Sequence, residues 1–106
     1  MQDENNKNKP KLDLSSNRIA EIEDENLVGL SSLTHLHLSN NSIYHLDAAV
    51  FESTSQLQEL YLARNLLIQV PLALGKLFKL RHLDLSSNQI RFVALYLHRT
   101  FNYDLS

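Results

Sequence analysis

The sequence predicts an α/β solenoid. A short stack of repeats lays a parallel β-sheet along a concave side and returns over a convex side of irregular and short-helical chain. Three observations carry this. One phrase occurs four times: Leu12-Asp13-Leu14-Ser15-Ser16-Asn17, Leu36-His37-Leu38-Ser39-Asn40-Asn41, Leu60-Tyr61-Leu62-Ala63-Arg64-Asn65 and Leu83-Asp84-Leu85-Ser86-Ser87-Asn88. Its asparagines stand 24, 24 and 23 residues apart, a period at which one supersecondary unit stacks on the next. Within each copy the leucines alternate with other residues, which is the period-two signature of a strand.

The elements follow in order. Residues 1–8 are polar and form a disordered lead-in, with Lys9 to Lys11 joining the first strand. Four repeats occupy 9–32, 33–56, 57–79 and 80–93, and residues 94–106 form a C-terminal capping segment. Each repeat opens on a short strand whose leucines point to the core. In repeat two these are Leu36 and Leu38, with Leu33 turning inward just before. Successive strands lie about 4.8 Å apart in parallel.

At the sharp bend after each strand, backbone groups lose their ladder partners. An inward asparagine both donates and accepts, so Asn17, Asn41, Asn65 and Asn88 form a buried amide ladder. The return leg adds Ile19 and Ile22, Ile43 and Leu46, Leu67 and Val70, then Ile90 and Val93. Leu27 and its counterpart Phe51 plug the convex side. In repeat three, a short helical turn opens at Pro71 and closes at Gly75. Phe92, Leu95, Tyr96, Leu97, Phe101 and Tyr103 supply an apolar lid over repeat four, or else a patch for self-association.

Composition narrows the function. The chain has 106 residues, enough for one domain. A net charge of -2 offers no electrostatic footprint for nucleic acid. The absence of cysteine excludes a disulfide framework or thiolate metal site within this stretch. No apolar run approaches the roughly 18–20 residues that span a bilayer, so direct membrane insertion by this segment is not expected. Met1 is followed by a polar stretch without a secretory signal. Two localisations stay open: cytoplasmic if Met1 is the native start, cell-surface or extracellular if the chain is an excerpt.

The phrase L-x-x-L-x-L-x-x-N-x-L-x-x-L, matched four times in spacing and phase, is similar to that of the leucine-rich repeat family. The resemblance spans about four fifths of the chain and implies a curved horseshoe whose concave sheet recognises proteins. Leu95-Tyr96-Leu97-His98 is similar to the opening of the C-terminal cap in extracellular members, among them the amphoterin-induced adhesion proteins. That resemblance implies a cell-surface adhesion type and self-association through the repeat face. Tyr103 and Leu105 stand where the cap has cysteines. Repeat three, with Pro71 and its shorter length, resembles intracellular signalling-scaffold repeats, which implies the alternative of a scaffold or regulatory subunit.

Phase also assigns the outward positions. The first column is Lys11, His35, Glu59 and His82, and the second is Asp13, His37, Tyr61 and Asp84. Ser15, Ser39, Ala63 and Ser86 make the third; Ser16, Asn40, Arg64 and Ser87 follow at the strand exit. Column neighbours are cross-strand pairs. The expected partner-binding set is His35, His37, Glu59, Tyr61, Arg64, His82 and Asp84. Tyr61 is the central anchor, because tyrosine and arginine are enriched at interface hot spots. Three histidines make the charge of this face responsive to mildly acidic pH.

Catalysis is not expected. Ser39, His37 and Asp13 have the residue types of a triad but no nucleophile elbow or oxyanion hole. His35, His37 and Asp13 match no dedicated metal motif. No Gly-rich phosphate loop is present, so no cofactor is expected. The acidic run Glu21-Ile22-Glu23-Asp24-Glu25 reads as a solvated turn. Asn40-Asn41-Ser42 is a glycosylation sequon on Asn40, relevant in the secretory pathway.

Overall fold

The structure, a computed structural model, describes residues 11–91 and the backbone of residues 102–104. The lead-in at 1–8, Val93 and most of the capping segment lie outside the described residues, as do all the side chains assigned to the apolar lid. Alternating leucines produce the expected strands: β1 (Lys11–Asp13), β3 (His35–His37), β5 (Glu59–Tyr61) and β6 (His82–Asp84). They pair in parallel, with Leu12 opposite Leu36, Leu36 opposite Leu60, and Leu60 opposite Leu83. Backbone bonds carry the ladder past each strand into the turn, as from Leu38 N–H to the Tyr61 carbonyl at 2.8 Å and from Asn40 N–H to the Ala63 carbonyl at 2.8 Å.

A fifth strand, β7 (Asn102–Asp104), continues the sheet in the order β1-β3-β5-β6-β7. Its register sets Tyr103 opposite Leu83 and Asp104 opposite Asp84. Tyr103-Asp104 therefore aligns with Leu83-Asp84 as a further strand. On the return leg a second parallel pair forms, β2 (Glu21–Ile22) with β4 (His45–Leu46).

Between the two sheets lies a core of aliphatic side chains. Leu36, Leu38, Leu60, Leu62, Leu83 and Leu85 come from the strands, and Ile22, Ile43, Leu46, Leu67 and Val70 from the return legs. Ile19 and Ile90 are only partly buried, because each sits toward an end of the described stack. Leu27, Phe51 and Leu74 close the convex side, all of them buried.

The convex paths differ from repeat to repeat. Repeat one makes turns. Repeat two makes a 3-10 helix over Val50–Thr54, which the sequence reading left unassigned. Repeat three makes the helix expected after Pro71, but it runs over Leu72–Lys76 and passes through Gly75. Its end is set by Leu77, whose N–H bonds the Leu74 carbonyl at 3.0 Å.

Candidate binding face and amide ladder

Three asparagines of the repeated phrase, Asn41, Asn65 and Asn88, join their own repeat to the one before. The Asn65 side-chain amide donates to the carbonyls of Leu38, Leu62 and Ala63 at 3.0–3.2 Å, and its carbonyl accepts from Ile43 N–H at 2.9 Å. Asn41 repeats the pattern with Leu14, Leu38 and Ser39 as acceptors and Ile19 N–H as donor. Asn88 does so with Leu62, Leu85, Ser86 and Leu67 N–H. Burial is graded along the ladder: Asn65 is buried, Asn41 and Asn88 are partly buried, and Asn17 is exposed. The expectation of four buried amides therefore fails at Asn17, where no described repeat stacks on the N-terminal side. Its amide still donates to Leu14 and Ser15 within its own repeat.

The bend before each asparagine has a cost that the phase argument missed. Ser16, Asn40, Arg64 and Ser87 all hold φ between 56° and 59°. Asparagine tolerates this left-handed region better than serine or arginine. The fourth outward column is thus a column of left-handed turn residues rather than an extension of the strand. Arg64 is exposed there and makes no ion pair among the described residues.

The centre of the concave face is one interlocked cluster. Cross-strand neighbours stand perpendicular to the sheet, so flat rings on adjacent strands meet face to face. His37 and Tyr61 stack with centroids 4.4 Å apart and planes 11° from parallel. On the other side, His82 meets Tyr61 at 5.2 Å and 46°. The Tyr61 hydroxyl donates to Glu59 Oε1, and Glu59 Oε2 lies 3.3 Å from His35 Nε2. His35 Nδ1 in turn lies 2.8 Å from Thr34 Oγ1. An Nε2–H tautomer satisfies both contacts, donating to Glu59 while Nδ1 accepts from the threonine hydroxyl.

The electrostatics follow from these contacts. The hydrogen bond to Glu59 is the main cause that pushes the Tyr61 phenol up to about 12, with burial and the charges of Glu59 and Asp84 adding to it. The same bond holds the Glu59 carboxyl below its ordinary range, against burial and with help from His35 and His82. Asp13 is likewise held low, by the Ser15 hydroxyl and backbone N–H that it accepts. Asp84 makes the equivalent turn, accepting from Ser86 N–H at 3.0 Å and Ser86 Oγ at 2.6 Å.

Of the expected partner-binding residues, the structure brings His35, His37, Glu59, Tyr61 and His82 together. Asp84 sits at the next register position with one carboxylate oxygen engaged by Ser86, just past the strand. Arg64 stands apart on the turn column. Asn40 is exposed beside it, with its amide 3.1 Å from Ser16 Oγ. The sequence reading missed the exposed apolar side chains of the outer surface, Tyr44, Leu66, Ile68 and Leu72. They occupy the positions that alternate with core residues, where a run of mixed character such as Asn65-Leu66-Leu67-Ile68 conceals which members face out. Among the described residues no helix is long and apolar enough to cross a membrane.

Comparison with known proteins agrees with this geometry. The family described as leucine rich repeat matches the chain over residues 10–67 and again over 37–90. Nephrocan of Mus musculus is 40% identical over 84 residues, covering 79% of this chain and 16% of its own length. The transforming growth factor beta activator LRRC33 of Danio rerio is 42% identical over 78 residues, covering 73% of this chain and 11% of its own. A chain from the crystal structure of the Drosophila melanogaster SNF/U2A' complex superposes with a TM-score of 0.67 at 28% identity, covering 79% of this chain and 48% of that one. The chain thus spans less than a fifth of the length of either curated relative.

Proposed function

We propose that this chain, which belongs to the leucine-rich repeat family, binds a protein partner through its concave sheet face as a cell-surface recognition or adhesion module. The observation that carries the concave face is the stack of His37, Tyr61 and His82, locked by Glu59 and His35. Aromatic anchors already held in one arrangement lose little conformational freedom on binding, which favours affinity. Their faces are covered by one another, so a partner meets ring edges and polar tips. Arg64, exposed at the margin and without an ion pair among the described residues, adds a cation.

Two things support a surface role. One is the resemblance to adhesion proteins. The other is the likeness to a relative named as an activator of a growth factor. The exposed sequon at Asn40 fits that setting. A glycan there stands on the same turn column as Arg64 and limits approach from that edge, leaving the cluster open. Self-association through the same face is the simplest partner choice.

A second reading, an intracellular scaffold or regulatory subunit, draws on the shorter third repeat and on the likeness to a chain solved in a complex. The test is capture of partners by the wild-type chain and by the His37→Ala, Tyr61→Ala, Arg64→Ala variant, with matched circular dichroism. Sedimentation of both proteins tests self-association in parallel. Loss of capture by a folded variant supports the concave face, and equal capture rejects it. Mass spectrometry of the chain made through a secretory pathway, with Asn40→Gln as control, reads the glycan.

A further inference from the structure

The outer surface carries a feature that the concave reading does not use. Between repeats two and three lies a groove of about 250 Å³. Buried Leu46 and Leu67 form its floor, and Tyr44, Ile68 and Leu72 its rim, at 55%, 53% and 65% exposure. Exposing three large apolar side chains around one depression is costly for a folded surface and marks a contact site.

Charge supplies the identity of what fits. The backbone stacks residue on residue here: Tyr44 N–H bonds the Ala20 carbonyl at 3.0 Å and Asp24 N–H bonds Asp47 Oδ2 at 3.1 Å. Toward repeat one the rim therefore gives way to Glu21, Glu23, Asp24 and Glu25, all exposed. Nearby basic side chains are mostly engaged. His45 Nε2 is 2.9 Å from Asp47 Oδ1, and Lys76 Nζ is 3.8 Å from Glu52 Oε2. Arg91, exposed, bonds the Ile68 carbonyl through its backbone N–H at 2.8 Å, on the side of the groove away from repeat one. The surface steps from apolar to acidic over two repeats, roughly 10 Å at the spacing of paired strands. An extended peptide covers that distance in about three residues.

We propose that this groove docks an extended, basic segment of a protein partner, seating one aliphatic side chain with lysine or arginine three residues away over the acidic turn. The site is separate from the concave face, so the module holds two partner segments at once.

The probe is the capped peptide Lys-Lys-Ser-Ala-Leu-Ala-Ser-Lys-Lys, titrated into the isotope-labelled chain and followed by amide chemical shifts. Lysines on both sides of the leucine serve either peptide direction. Shifts are expected at Tyr44, Ile68, Leu72 and Glu21 to Glu25, with binding about tenfold weaker in high salt. Ile68→Ser with Leu72→Ser removes binding, and Glu23→Gln with Asp24→Asn weakens it. Phe78→Ser, which alters the most exposed large apolar side chain among the described residues, leaves binding unchanged. The proposal is overturned by an absence of shifts at millimolar peptide, by equal binding of the same peptide with glutamate in place of lysine, by shifts centred on Tyr61, or by loss of binding in Phe78→Ser. Circular dichroism of each variant verifies folding.

Discussion

The two sides of this solenoid are built under different constraints. On the concave side the strands of the four repeated phrases share the same register, the same inward leucines and the same left-handed turn. On the convex side the three complete repeats take three paths: turns, a 3-10 helix at Val50–Thr54, and another at Leu72–Lys76. A parallel ladder tolerates no local freedom, because a slip of one residue reverses every side chain. The convex chain needs only to seat one apolar plug per repeat, here Leu27, Phe51 and Leu74. Uniformity on one side and variety on the other therefore come from backbone pairing and side-chain filling, respectively.

The largest test attacks the plug. Phe51 is fully buried, so Phe51→Ala lowers stability by about 3–5 kcal/mol in a denaturant titration. Trimming the exposed Phe78 with Phe78→Ser stays within about 0.5 kcal/mol of wild type. A cost for Phe51→Ala below that of an ordinary surface change would mean that the convex side contributes little to folding.

Next comes the ladder. Asn65→Ala leaves several backbone groups of two repeats without partners and costs about 3 kcal/mol. Asn17→Ala, at the exposed end, costs under about 1 kcal/mol. Equal costs would show that position along the stack does not matter.

The turn column predicts an effect of opposite sign. Arg64 holds φ at 57°, so Arg64→Asn raises stability by about 0.5–1 kcal/mol while weakening partner capture. A variant that is both more stable and equally active would detach Arg64 from binding.

The smallest effect is spectroscopic. The Tyr61 phenol is raised to about 12 through its bond to Glu59. Its stabilising contribution is present below the ordinary tyrosine value and disappears as pH rises through about 12. Glu59, held low, contributes above the ordinary carboxylate value and loses that contribution as pH falls through its folded value. A difference absorbance titration between wild type and Tyr61→Phe isolates the phenolate, and ionisation near pH 10 would remove the Tyr61–Glu59 bond from the account.

How much of this was legible in the residues follows the same division. Period-two leucines at a 24-residue spacing identify the strands and the outward columns, because pairing translates sequence phase directly into position. The left-handed turn was hidden, since only Asn40 among its four residues belongs to a type that signals it. The strand at Asn102–Asp104 was hidden too. Tyrosine replaces the expected leucine, and Tyr103 follows Leu83 by 20 residues rather than 23 or 24. The 3-10 helix of repeat two has no Pro or Gly to announce it, whereas Pro71 announces the one in repeat three. The ring stacking at Tyr61 depends on rotamers, which cross-strand adjacency permits but does not select.

The asparagine ladder also has a direction. Asn41 completes the backbone bonding of repeat one, Asn65 that of repeat two and Asn88 that of repeat three. Each bend is partly closed by its own asparagine, but the N–H groups of Ile19, Ile43 and Leu67 are met only by the asparagine that comes later in the chain. A ribosome delivers those residues in that same order. Each newly emerged phrase therefore seals the turn made just before it, and the growing end of the nascent chain is where folding stays incomplete until the next asparagine appears.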